Sequence, residues 1–354
     1  MPGAVVGVSA PGMRTVTLSL GTVDVDAAEA PRASDAMRIG SIAKLFTGTV
    51  VLQLADEGRL AVDDPVSRYV TGVPHGDKIT LRMLGNHTSG LFNSIADRAF
   101  RARINRDPSA RTSRSEILRT SFSRPVRLPP GQRFTYSNTN TTLLAMVAEK
   151  VTGQSIASLI TTRILEPLGA TGTEPPGAGL APPPAVRGYR FGERRNAVEY
   201  GKVFFDATHF SASWGDAAGD MNSTLDDLMR LARPLVSGRL LTDRGRDELT
   251  RFVETGASFR YGFCLSDYDG ALGHAGDVPG FSSFVAWLPR RDAVVVVLTN
   301  LSNLRDKSSP AQHLARRLIA ELRAVVPSAG PPAPSPLGAN GSTPWDRLEF
   351  SPLR

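Results

Sequence analysis

The sequence predicts an α/β protein with an added all-α lobe, in which an antiparallel sheet flanked by helices is assembled from both ends of the chain. Stretches rich in β-branched residues lie near the two ends, and the long middle consists of helical segments separated by Pro/Gly loops. At 354 residues, the chain is long enough for two lobes that share a core. We therefore place the α/β lobe in residues 1–59 and 248–326 and the helical lobe in residues 60–247.

Strand patterns are concentrated at the ends of the chain. Residues 4–20 contain two short β-branched runs around a Pro-Gly turn, which is a hairpin signal. Similar runs at residues 260–268, 282–288 and 293–299 predict further strands, and a turn joins the last two. The triplet that begins at His274 is expected to precede one of these strands.

The first predicted helix spans residues 41–58, which lack proline, are largely apolar and end in a glycine that can cap a helix. Its apolar character predicts a position between layers. Further helices are predicted at residues 137–152 and 223–237, and an amphipathic helix is predicted at residues 306–326. Residues 327–354 carry prolines, glycines and serines without periodicity, which predicts a flexible tail.

The composition excludes several classes of function. The net charge is +7, but the 41 basic residues are scattered along the chain, so we expect no nucleic-acid partner. The sequence contains no long apolar run, so we expect no membrane span. No leader peptide opens the chain, which predicts a cytoplasmic protein if the chain start is native and a secreted, periplasmic or extracellular one if a leader was removed. The sequence leaves the oligomeric state open.

Cofactor-binding patterns are also missing from the sequence. The single cysteine, Cys264, excludes an internal disulfide and a cysteine-based metal cluster, and its apolar neighbours predict a buried thiol. The five histidines lack the spacing of metal ligands. We therefore expect neither a metal nor an organic cofactor.

Ser41 and Lys44 lie three residues apart at the start of the first predicted helix. Residues at this spacing share one face of a helix, so the lysine amine can reach the serine hydroxyl. A lysine can deprotonate a serine only if its pKa is lowered, and apolar neighbours such as Ile42 and Leu45 favour that. The structural alternative is a helix-capping serine beside a lysine that extends to solvent.

Tyr136 and Asn138 follow a proline turn and come just before a predicted helix. A phenol near an amine can share or relay a proton, and an asparagine amide can orient a peptide-like substrate. The structural alternative is a surface tyrosine beside an asparagine that caps the helix.

A third group surrounds His274 on the side of the predicted sheet. The absence of a side chain at Gly276 lets a substrate approach the sheet edge closely. The N–H of Asp277 can join the N–H of Ser41 in an oxyanion hole. A histidine beside a glycine turn is, taken alone, more often structural than catalytic.

The patterns S-x-x-K, Y-x-N and H-x-G each occur once, in that order along the chain. With this set the sequence resembles the penicillin-binding-protein and serine β-lactamase superfamily, in its class C β-lactamase, D,D-carboxypeptidase and esterase branch (peptidase S12-like). Stretches such as MRIGSIAKLFTG at Met37 and PPGQRFTYSNTN at Pro129 extend the resemblance over about residues 2–325. His87, in NHTSGL, belongs to the resemblance and is expected to pack its loop.

The resemblance implies a transpeptidase-like fold and a serine hydrolase that forms an acyl-enzyme at Ser41. Lys44 and Tyr136 would move the serine proton, and His274 would complete the catalytic set. The resemblance also implies substrate-binding roles for three residues: Asn138, Gly276 and Asp277. Many β-lactamases have a lysine at the position of His274. The histidine makes this sequence more similar to carboxypeptidases and esterases.

The substrate implied by the resemblance is a small-molecule or peptide acyl donor. A D-alanyl-D-alanine carboxypeptidase-like amidase, peptidase or esterase is the first expectation. One alternative is an acyltransferase or a peptide-cyclising thioesterase of the penicillin-binding-protein type. The other alternative is a non-catalytic binding module with the same fold.

Overall fold

A computed structural model describes residues 2–177, 186–191, 204–304 and 306–328. The strands within these ranges are β1 Ala4–Ser9, β2 Val16–Leu20, β3 Met37–Arg38, β4 Tyr189–Phe191, β5 Phe204–Asp206, β6 Asn222–Ser223, β7 Val253–Glu254, β8 Arg260–Tyr261, β9 Ser266–Tyr268, β10 Ala271–Val278, β11 Phe281–Leu288 and β12 Ala293–Thr299. The α-helices are α1 Ala43–Asp56, α2 Leu81–Gly85, α3 Arg98–Arg106, α4 Arg114–Phe122, α5 Asn138–Thr152, α6 Ile156–Ile160, α7 Leu225–Val236, α8 Asp243–Leu249 and α9 Pro310–Val325.

The main sheet is built from the two ends of the chain, as predicted. Its eight strands are antiparallel and follow the order β2-β1-β12-β11-β10-β9-β8-β7. The ends meet where β1 pairs with β12, with Ala4 opposite Thr299. Helix α9 covers one face and α7 packs on the other. The predicted fold class, an antiparallel sheet flanked by helices with an added helical lobe, is therefore confirmed.

Helix α1 lies between the sheet and the helical lobe because its surface is apolar on nearly every side. Most of its residues are buried, and it packs against α5, α7 and α8. The prediction of one helix over residues 41–58 differs at its start, since residues Gly40–Ile42 form a separate 3-10 turn. Gly58 follows the helix with φ +70°, a backbone conformation that glycine adopts without strain.

The structure corrects three expectations about the elements. His274 lies inside β10 and not before a strand, so the sequence analysis missed a central strand of the sheet. Helix α7, within the segment 60–247 assigned to the helical lobe, packs on β11 and β12. The last helix begins at Pro310 and not at residue 306. The predicted tail lies outside the described residues from residue 329 onward.

In the described part of the chain, no single helix is long and apolar enough to span a membrane. The segments Asn138–Thr152 and Ile156–Leu165 pass a test of length and composition only together, as a pair bent by 84°.

Candidate active site

Ser41 and Lys44 are in contact where the 3-10 turn runs into α1. The Nζ atom of Lys44 lies 2.9 Å from Oγ of Ser41 and donates to the Ala218 carbonyl at 2.9 Å. Lys44 is fully buried, whereas Ser41 is partly exposed. Burial lowers the pKa of Lys44 from 10.5 to about 7. Near neutral pH a large fraction of this amine is therefore uncharged and able to accept a proton.

Tyr136 reaches the same serine from the loop before α5. Its hydroxyl donates to Ser41 Oγ at 2.9 Å, and the ring centre lies 4.9 Å from Lys44 Nζ. Burial raises the pKa of Tyr136 well above its ordinary value. The phenol is therefore protonated at neutral pH and can donate a hydrogen bond or pass on a proton.

His274 points to the side of the sheet on which Ser41 lies and is almost fully buried. Its Nδ1 lies 2.6 Å from the Ala275 carbonyl, which can only accept, so Nδ1 carries the proton. In a neutral ring Nε2 then accepts from the Tyr261 hydroxyl at 2.9 Å. Burial, and secondarily Lys44, lower the pKa of His274 to about 3. At neutral pH this position therefore carries no charge.

Strand β10 holds the Ser41 turn through close backbone contacts. A Cβ on Gly276 would lie 2.0 Å from the Ile39 carbonyl oxygen, so only glycine fits. A Cβ on Gly40, whose φ is +51°, would lie 2.9 Å from the backbone nitrogen of Asp277. The turn that carries Ser41 thus lies directly against the Asp277 N–H, as an oxyanion hole formed by these two residues requires.

The carboxyl group of Asp277 turns to the opposite face of the sheet. Gln312 of α9 donates to its Oδ2 at 3.3 Å. Burial raises the pKa of Asp277 to about 7. Only the backbone of this residue faces the serine turn, so its side chain is not part of the site.

Asn138 and His87 both lie in the helical part of the chain. Asn138 opens α5, and its side-chain oxygen is buried with no hydrogen-bond partner among the described residues. A substrate N–H could satisfy this oxygen only after the side chain rotates towards the cleft. His87 is fully buried, with Nδ1 2.9 Å from Nδ2 of Asn140 and its ring centre 4.4 Å from that of Tyr136. It packs the loop, as expected.

Three contributors were missed by the sequence analysis. They are the carbonyl groups of Ala217 and Ala218, which accept from Thr47 and Lys44, and the Tyr261 hydroxyl that holds His274. Backbone carbonyl groups carry no residue-type signal, and Tyr261 is brought to His274 by strand pairing through β9. Only the tertiary structure could reveal these contacts.

The described ranges contain no group of three or more His, Cys, Asp or Glu side chains that could hold a metal ion. Cys264 is buried, as predicted, and burial raises the pKa of its thiol to about 12.

An antiparallel sheet packed on a helical lobe, with a serine in contact with a lysine and a tyrosine, defines the class of serine hydrolases that have the β-lactamase and penicillin-binding-protein fold. The family model described as Beta-lactamase matches residues 1–319, so the chain belongs to this family.

Solved structures agree with this assignment. A D-stereospecific amidohydrolase from Streptomyces sp. is 31% identical, with a TM-score of 0.74 over 85% of this chain and 90% of that one. A D-amino acid amidase from Ochrobactrum anthropi SV3, complexed with L-phenylalanine, has the same fold at 24% identity, with a TM-score of 0.79 over 91% of this chain and 94% of that one.

Curated relatives are longer than this chain. Protein flp of Staphylococcus aureus (strain COL) is 26% identical over 321 residues, which are 86% of this chain but 60% of that protein. The chain thus spans about three fifths of the length of this relative.

Proposed function

We propose that the chain is a serine amidohydrolase that forms an acyl-enzyme at Ser41 and acts on D-configured acyl donors, as a D-alanyl peptidase, amidase or esterase. The main support for the proposal is that Lys44 Nζ and the Tyr136 hydroxyl each lie 2.9 Å from Ser41 Oγ. Similarity to the D-stereospecific amidohydrolase, at 31% identity, supports the preference for D-configured donors.

The proposed reaction begins when neutral Lys44 takes the hydroxyl proton of Ser41 as Oγ attacks the substrate carbonyl carbon. The N–H groups of Ser41 and Asp277 stabilise the negative charge that develops on the carbonyl oxygen. Collapse of this intermediate breaks the carbon–nitrogen bond, and the leaving nitrogen receives a proton from the Lys44 and Tyr136 pair. Water then attacks the ester, which releases the acid and restores the serine.

Asn138 and the edge of β10 would orient the substrate in this scheme. The side-chain oxygen of Asn138 is buried without a partner, and it would accept from an amide N–H of the donor after rotation of the side chain. The space beside Gly276 is filled by the Ile39 carbonyl group, so this glycine would serve substrate binding by admitting the Ser41 turn next to the strand. Neutral His274 supplies no fixed charge for a substrate carboxylate, so any carboxylate on the donor would have to be bound by other groups.

The test compares D-phenylalanine amide with its L enantiomer, with and without an added amine acceptor. We expect released acid from the D form, and loss of turnover in Ser41→Ala to about a thousandth or less of the wild-type rate. A fluorophosphonate should label Ser41 in the wild type. Absence of both labelling and turnover would leave the non-catalytic binding module, and aminolysed or cyclised product in place of acid would make the protein an acyltransferase.

A further inference from the structure

We propose that Arg114 is a positioning residue for Lys44. It clamps Asp216 and thereby holds the turn Ser213–Ala218 in the shape that presents the Ala218 carbonyl to the lysine. The inference rests on the proposed role of Lys44 as the base.

The turn is fastened to α1 by two neighbouring carbonyl groups. Ala217 accepts from Thr47 Oγ1 at 3.0 Å, and Ala218 accepts from Lys44 Nζ at 2.9 Å. A neutral amine must aim its lone pair at the serine hydroxyl to act as a base. The Ala218 carbonyl binds one N–H of the amine and so fixes the direction of that lone pair.

The turn adopts its shape at the expense of backbone strain at Asp216. This residue has φ 43° and ψ −141°, a region that glycine occupies readily and other residues avoid. It directly precedes Ala217 and Ala218, so relaxation of its backbone would rotate both carbonyl groups away from α1. An interaction with the rest of the structure is therefore needed to keep Asp216 in this conformation.

Arg114, in the first turn of α4, provides this interaction. Its Nε and Nη2 atoms bind Oδ2 and Oδ1 of Asp216 at 3.0 and 2.9 Å, a two-pronged geometry that fixes the carboxylate orientation. Its Nη1 binds Glu149 at 2.6 Å. A cation at a helix N-terminus is unfavourable, so these carboxylates explain the arginine better than helix stability does.

Loss of the Arg114–Asp216 pair should increase the hydration of the Lys44 amine. Burial is the main cause of the lowered pKa of Lys44, and a loosened turn would admit water beside the amine. The pKa of Lys44 should therefore rise towards its ordinary value, and fewer amines would be neutral at pH 7. Acylation of Ser41 should slow as a result.

The experiment follows the Lys44 side chain by carbon-13 NMR of lysine-labelled protein, which is practical because the chain has five lysines. Arg114→Ala should raise the pKa of Lys44 by about one pH unit, and the smaller neutral fraction should slow fluorophosphonate labelling of Ser41 at pH 7 about fivefold. The double variant Arg114→Ala with Asp216→Gly should restore both values, because glycine adopts the strained conformation without a clamp. Glu149→Gln, which keeps the Arg114 to Asp216 pair, should resemble the wild type.

A matched pair of variants at Asp216 tests the proposal if Arg114→Ala does not fold. Asp216→Ala and Asp216→Gly both remove the clamp and differ only in backbone freedom, so only the alanine variant should raise the pKa of Lys44. Equal behaviour of this pair, or an Arg114→Ala protein with wild-type pKa and labelling rate, would overturn the proposal. If the pKa of Lys44 changes in the variants as expected but the wild type is never labelled, the positioning role of Arg114 is supported and the proposed function is wrong.

Discussion

Lys44 and Tyr136 both lie 2.9 Å from Ser41 Oγ, but burial acts on them in opposite directions. It lowers the pKa of the lysine to about 7 and raises that of the tyrosine above its ordinary value. Each group is therefore biased towards its neutral form, as an amine that can accept a proton and a phenol that can donate one. We infer that Lys44 is the base and that Tyr136 serves the leaving group.

Acylation should depend on pH through Lys44. The amine accepts a proton only when neutral, and below its pKa the neutral fraction falls about tenfold per pH unit. With a pKa of about 7, the acylation rate should rise with pH and level off above about pH 7. The measurement is the labelling rate of Ser41 from pH 5 to 9 with a buffer series of constant ionic strength. A rate independent of pH would contradict the assignment of the base.

Tyr136→Phe should be less harmful than Lys44→Ala, because the base is needed for attack whereas water can supply a proton to many leaving groups. Both changes should lower kcat more than they raise KM. Steady-state kinetics with an ester and an amide of one D-amino acid test this, since the amide leaving group needs the proton more. An unchanged kcat with a raised KM would make either residue a binding group.

His274→Lys should shift the enzyme towards substrates with a free carboxylate. The imidazole is neutral, with a pKa of about 3, whereas a lysine introduced there can carry a positive charge. The measurement compares acylation by the carboxylate and methyl-ester forms of one donor. Equal rates on the two forms would show that the position does not face the substrate.

The sequence indicated which side chains could meet, but not how they are held. The order of the three patterns was enough to predict Ser41, Lys44 and Tyr136, and these three are in contact. The strained backbone at Asp216 and the carbonyl group of Ala218 depend on tertiary contacts with α1 and α4, and no residue pattern signals them.

Among the secondary-structure elements, β10 is a strand that the sequence did not predict. Its glycines and the Pro-Gly that follows it resemble a turn, whereas β11 and β12 have clear strand composition. Pairing with β11 over seven residue pairs makes this stretch a strand in spite of its low propensity. One of these glycines, Gly276, also admits the Ser41 turn.

Gly276→Val should therefore disrupt the site without removing a reactive group. Its Cβ would lie 2.0 Å from the Ile39 carbonyl oxygen, which must move and take Ser41 with it. We expect kcat/KM to fall on the order of a hundredfold. Ala271→Gly, on the same strand but in the core next to α9, is the control and should change stability more than activity. Similar losses in both variants would show that the effect is general destabilisation.

At the scale of the whole molecule, the site exists only where separate parts of the fold meet. The sheet contributes β10, the loop before α5 contributes Tyr136, and the turn Ser213–Ala218 contributes a carbonyl group to Lys44. The sequence predicted this overall arrangement because both ends of the chain carry strand patterns. It misplaced α7, since an amphipathic pattern shows that a helix has an apolar face but not which layer covers it.

We propose that Ser41 forms an acyl-enzyme in a site that recognises penicillin-like donors. A β-lactam presents a strained amide in the shape of a D-alanyl peptide, so this site should open the ring and retain the acyl group as an ester. The measurement is mass spectrometry of digested protein, quenched with acid from seconds to an hour after addition of a penicillin, with Ser41→Ala as the control. We predict that the peptide containing Ser41 gains the mass of the intact drug. No adduct and no drug hydrolysis at any time, while a fluorophosphonate still labels Ser41, would contradict the claim.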